Sequence, residues 1–137
     1  MVTDVTTFIY IGPIVIGLVI GLVELFFVHA DEGGLGWLGH GLHAIPATIL
    51  FTFISMNVPW VLSFDFMSWM PDWAGTFAIP AAIGLFAAIK IKTAAAIAKG
   101  GSVGEKLWHA LAIGFLIAVA PFVWPFVFGF LPAILQR

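Results

Sequence analysis

Residues 23–34 read VELFFVHADEGG. Glu24 interrupts an apolar run that began well before it, and His29, Asp31 and Glu32 follow within eight positions. An ionisable carboxyl so far inside such a run is expensive in lipid, about 2.5–3.5 kcal/mol on insertion scales, so something must compensate for it. Whether the run crosses a bilayer is decided by its surroundings. The chain has 137 residues, of which 62% are hydrophobic and only 9% charged, with a mean hydropathy of +1.14. That balance lies far outside the range of soluble domains and reads as an integral membrane protein. Five Lys and Arg against seven Asp and Glu leave no basic surface for nucleic acid. The lack of cysteine excludes disulfide scaffolds and thiolate metal sites.

A hydrocarbon core of roughly 30 Å takes about 20 apolar residues per helix, and lipid tolerates no unpaired strand edge. Four runs meet this requirement and predict an all-α, single-domain bundle of four transmembrane helices over about 7–30, 43–63, 73–99 and 103–131. The first run has no basic region before it and exceeds a signal peptide's apolar core, so it is read as retained. Asp4, Thr6 or Thr7 could cap its start. Pro46 suits the first turn of the second helix, and Gly100-Gly101 suits the end of the third. Ser102-Val103-Gly104-Glu105 reads as a capping box opening the fourth. Pro121 and Pro125 within that helix each remove a backbone hydrogen bond, which predicts a kink or break.

Lys90, Lys92, Lys99 and Lys106 surround the connection between helices three and four, which places residues 90–106 in the cytoplasm of a multi-pass cell-membrane protein. With four spans, the segment DEGGLGWLGHGLH shares that side and both termini lie outside. Trp60, Trp69 and Trp73 mark the outer interface, and Trp37 and Trp108 the inner one. Only Arg137 opposes this orientation. The glycines at 33, 34, 36, 39 and 41 allow either an amphipathic interfacial segment, favoured by Leu35, Trp37, Leu38 and Leu42, or a tight turn between helices one and two.

Helical spacing sorts the small and polar residues into seams. Pro13, Gly17, Gly21 and Glu24 share a face of helix one, and Thr48, Thr52, Ser55 and Pro59 share one of helix two. Ala81, Gly84 and Ala88 align on helix three, and Gly114, Ala118, Pro121 and Pro125 on helix four. Such stripes let backbones approach closely and are common packing devices, with Gly17, Gly21, Gly84 and Gly114 as the contact points. Asn57, off the hydroxyl face, reads as an interhelical hydrogen-bond donor. Glu24 lies about 9 Å inside its helix end, within plausible reach of Lys90. It is therefore expected to be an ion-paired or protonated structural group, or an ion site on a permeation route. The route would run past Thr48, Thr52 and Ser55, with Asp31 and Glu32 at the inner mouth.

All four histidines, His29, His40, His43 and His109, fall on the predicted cytoplasmic side. His40 and His43 are three apart and could share a divalent metal with His109, although no HExxH or cysteine signature accompanies them. No nucleophile elbow, paired catalytic carboxylates or phosphate loop occurs, which speaks against an enzyme. The leading expectation is a small transport protein, an ion channel or ion-translocating oligomer. A structural accessory subunit of a membrane complex and a metal-binding membrane protein are the alternatives. Lipid, ions and either further copies or a membrane partner are the expected interactors, with no cofactor beyond that possible divalent metal.

Overall fold

A computed structural model describes residues 8–31, 36–98 and 106–132, and the side chains of 36–41 and 94–98 are not among those described. Every regular element among these residues is helical. Helix α1 spans Ile11–Asp31, α2 Gly36–Met56 and α3 Val58–Leu62. After a 3₁₀ turn at Asp65–Met67 and a π-helical turn at Ala74–Ala78, α4 spans Ile79–Ala98 and α5 Leu107–Phe128. Three helical segments, Ile11–Asp31, Ala74–Thr93 and Leu107–Phe128, are long and apolar enough to cross a membrane, and Leu42–Met56 is a shorter apolar stretch.

The helices run alternately up and down. Gly12 faces Met56, Gly17 faces Ile49 and Gly21 faces Ile45, so α1 and α2 are antiparallel. Gly84 lies against Gly114 and Ala118, while Gly114 lies against Ala88, which makes α4 and α5 a second antiparallel pair. Helix α5 closes the bundle against α1, with Trp124 over Gly12 at one end and His109 beside Asp31 at the other.

A few polar side chains are buried within an apolar core, and large apolar side chains cover the outside. Glu24, Thr48, Thr52, Ser55, Asn57 and His109 are buried, while Phe26 (73% exposed), Phe115 and Phe126 project outward. In water so large an apolar exterior would drive association. In lipid it costs nothing, and small residues and interhelical hydrogen bonds hold the helices together instead. Gly17, Gly21, Gly84 and Gly114 are all buried, as their stripes predict.

Several boundaries depart from the sequence reading. Helix two begins at Gly36, not 43, so Gly36, Gly39 and Gly41 are helical, and the connection before them lies outside the described residues. Away from water, a backbone that leaves its hydrogen bonds unmade loses more than glycine's poor helix propensity costs. Helix two also stops at Met56. Asn57 adopts φ −102°, ψ 9°, and α3 restarts with Pro59 in its first turn. The π-helical turn has a similar origin. Pro80 offers no N–H and crowds the turn before it, and the neighbouring Ile79 N–H reaches back to the Ala74 carbonyl.

The fourth long helix starts at Leu107, not 103, because Lys106 is extended (φ −61°, ψ 136°). Its predicted cap residues Ser102 and Glu105 lie outside the described residues, as do Asp4, Thr6, Thr7, Gly100, Gly101 and Arg137. Of the kink or break expected at Pro121 and Pro125, a break does not occur, since α5 is helical through both to Phe128.

Candidate functional site: a polar interior between α1, α2 and α5

Prolines inside helices leave unpaired the carbonyl four residues earlier, and two such carbonyls explain two of the buried polar side chains. Pro121 releases Ile117 O, and the Ser55 hydroxyl of α2 donates to it at 3.0 Å. Pro13 releases Ile9 O, and Asn57 Nδ2 donates to it at 3.0 Å while also donating to Phe53 O at 2.9 Å. The Ile9 N–H, one of the free donors ahead of α1, returns a bond to Asn57 Oδ1 at 2.7 Å. Asn57 is thus the interhelical donor its position suggested, and Ser55 explains why α5 survives its proline.

Thr48 stands where Gly21 makes room for it: a Cβ on Gly21 would lie 2.7 Å from Thr48 Oγ1. That hydroxyl is within bonding distance of Ala44 O and Ile45 O on its own helix, at 3.1 and 2.9 Å, and of Gly17 O on α1, at 3.1 Å. It has one proton and three acceptors, so the bond can pass between helices without any movement of the backbone.

Thr52, one turn further along α2, behaves differently. It is 0% exposed, and its Oγ1 has no hydrogen-bond partner. A helical threonine ordinarily donates to the carbonyl four residues back, as Thr93 does to Ile89 at 2.8 Å. Glu24, 4% exposed, lies one turn from Gly21 on the buried face of α1. The interior therefore holds one carboxyl and three hydroxyls over about four helical turns.

At the end of the bundle where α1 finishes and α5 starts, Asp31 draws three groups together. Its Oδ2 accepts the Lys106 backbone N–H at 3.0 Å and lies 2.5 Å from His109 Nδ1, and the Lys106 ammonium lies 3.1 Å from Oδ1. The Asp31 side chain is 3% exposed, against 59% for Lys106. A carboxylate at a helix N-terminus meets the positive end of the helix dipole and a free N–H. Here the carboxylate comes from another helix, which is why α5 needs no local cap at its first residue. The His109 ring stacks on Phe27 (centroids 4.2 Å apart, planes 5° apart) and meets the Trp108 ring at 3.8 Å and 60°.

These contacts locate the remaining predicted residues. Asp31, expected at the inner mouth of the route, is in contact with Lys106 and His109. Lys90 is exposed on α4, and the ion pair seen at this end joins Lys106 to Asp31. His43 and His29 are exposed, while Glu32 and the side chain of His40 lie outside the described residues. Among the described residues no three His, Asp or Glu side chains gather as a metal-binding group. Sequence reading missed the Asp31–His109 pair, whose members are 78 positions apart. The proline-released carbonyls could have been anticipated by counting back four residues from each proline. Trp124 is buried over Gly12. No family model matches the chain, and comparison with curated proteins and solved structures gives no match.

Proposed function

We propose that the chain is a four-span membrane protein that assembles with further copies of itself and translocates cations, with Glu24 as the ion-binding carboxyl. The carrying observations are a buried acid, Glu24, and a buried hydroxyl that has no hydrogen-bond partner, Thr52 Oγ1, both in the interior of the bundle. An unused hydroxyl in an apolar interior costs about 1–3 kcal/mol, which selection tolerates where the group serves something other than stability. Carboxylate and hydroxyl oxygens are the ligands that replace water around a cation, and Thr48 can turn its hydroxyl proton among three acceptors as an ion passes.

The contact of Asp31 with Lys106 sets the end of α1 beside the start of α5. The lysines concentrated there support a cytoplasmic assignment for that end, with both termini on the opposite side. The test is cation flux in reconstituted vesicles. Glu24→Gln should lower flux at least about tenfold, as expected for loss of the charged ligand buried on the route, and unchanged flux would remove the acid from the mechanism.

A second reading, an accessory subunit, draws on the apolar groove between α2 and the start of α4, lined by Phe51, Ile54, Ile79, Ala82, Ile83 and Phe86. It requires a stoichiometric foreign chain in mild-detergent preparations and no flux from the isolated protein.

A further inference from the structure

The Asp31–His109 pair has a chemistry that its capping duty does not use. A carboxylate only accepts hydrogen bonds, so the 2.5 Å contact fixes the imidazole proton on Nδ1. In the neutral ring Nε2 then carries a lone pair, on the edge of the ring remote from Asp31. The ring is buried, stacked on Phe27 and braced by Trp108, so its plane is held. What remains free is the gain or loss of a proton at Nε2, and Asp31 stands ready to balance the imidazolium.

Helix register places this ring between two acids. Phe27 follows Glu24 by three residues and precedes Asp31 by four, so all three lie on one side of α1. Glu24 and Asp31 are about 10 Å apart along the axis at 1.5 Å per residue, with the stacked ring at the intermediate level. The order from the bundle end inward is carboxylate, imidazole, carboxyl.

We propose that His109 is the proton-transfer station for Glu24, with Asp31 as the positioning residue, and that the ion the protein carries is the proton. This rests on the transport reading above and narrows it. In the release step the carboxylic acid of Glu24 gives its proton to Nε2, leaving a carboxylate and an imidazolium paired with Asp31. The imidazolium then loses the same proton to water at the end of the bundle, and uptake runs in reverse. A side chain or one water completes the distance between Nε2 and Glu24. Among the described residues, the other ionisable groups near this end are Lys106 on α5, exposed Lys90 and half-buried Lys92 on α4, His43 on α2 and His29 on α1.

The experiment uses the full chain in vesicles carrying an internal pH dye, with proton, sodium and potassium flux measured separately under an imposed potential. Proton flux is expected, lost in Glu24→Gln and lowered about a hundredfold or more in His109→Ala, the lower end of the range for removal of a proton-transfer group. Added imidazole should restore part of the His109→Ala flux, which a purely structural role would not do. Asp31→Asn keeps the shape of the contact, should lower flux as well, and should let ¹⁵N spectra of the ring show a mixture of tautomers. If His109→Ala does not reconstitute, Asp31→Asn decides: unchanged proton flux and an unchanged tautomer overturn the proposal. Flux that depends on Glu24, is carried by sodium or potassium and ignores both variants overturns the proton assignment and leaves the transport reading standing. Absence of any Glu24-dependent flux overturns both.

Discussion

The two glycine seams of this bundle look alike in sequence and differ in kind. Between α4 and α5, Gly84 and Gly114 face each other with Ala88 and Ala118 beside them, and each glycine's missing Cβ would fall within 2.4 Å of the other's carbonyl oxygen. That seam is packed by backbone and methyl groups. Between α1 and α2, Gly17 and Gly21 bring the helices just as close, but the space they open admits Thr48, with Thr52 and Glu24 buried nearby. Small-residue spacing thus reports how near two helices come, and only the polar atoms inside the seam distinguish a joint from a place where chemistry can occur.

The comparison breaks most visibly at the dry seam. In Gly84→Ala the new methyl would stand 2.2 Å from Gly114 O, an atom of the backbone that can yield only if the helices part. Overpacking of this severity should cost about 3 kcal/mol or more, despite the gain of up to about 1 kcal/mol in helix propensity. Gly17→Ala, whose methyl would lie 2.6 Å from Ile49 Cα, should cost slightly less. Gly129→Ala meets nothing nearer than 3.8 Å and serves as the neutral control. Reversible unfolding in mixed micelles measures all three, and a tolerated Gly84→Ala would show that the seam is looser than described. Next in size is Asn57→Ala, which strands both the Ile9 N–H and the carbonyl released by Pro13. About 2 kcal/mol should be lost in the same assay, with faster hydrogen exchange at the start of α1.

The general plan was legible in composition and periodicity. Long apolar runs give helices because lipid leaves the backbone no other partners, and the position of Glu24 opposite bulky Leu and Phe predicts its burial. Asn57 could be read as an interhelical donor for the same reason. Less was visible where the outcome depends on two distant segments. Prolines at 121 and 125 argue for a broken helix by local rules, yet Ser55 supplies a donor to the carbonyl that Pro121 releases, and Ser55 lies 62 positions away. Helix α5 starts at Leu107 because Asp31 reaches Lys106 across the bundle, and a local capping motif cannot announce that. Asp31 and His109 were each noticed for their chemistry but assigned to different tasks. Their contact follows from the antiparallel register of α1 and α5, which no periodicity within one helix contains.

The smallest effect on stability offers the sharpest separation of joint from site. Ser55 and Thr52 are both fully buried hydroxyls on one face of α2, one bonded to Ile117 O and the other without a hydrogen-bond partner. Ser55→Ala removes an interhelical bond and leaves a released carbonyl exposed to apolar surroundings, so it should destabilise by about 0.6–1.7 kcal/mol, the range measured for such bonds in membranes. Thr52→Val keeps the shape and deletes a hydroxyl that makes no bond, so folding should be unchanged or more stable by up to about 1 kcal/mol. A role in translocation predicts the opposite order for flux: Thr52→Val should impair it and Ser55→Ala should spare it in whatever fraction folds. If Thr52→Val neither stabilises nor slows transport, its hydroxyl has a partner within the seam, and the polar interior is a joint like the other.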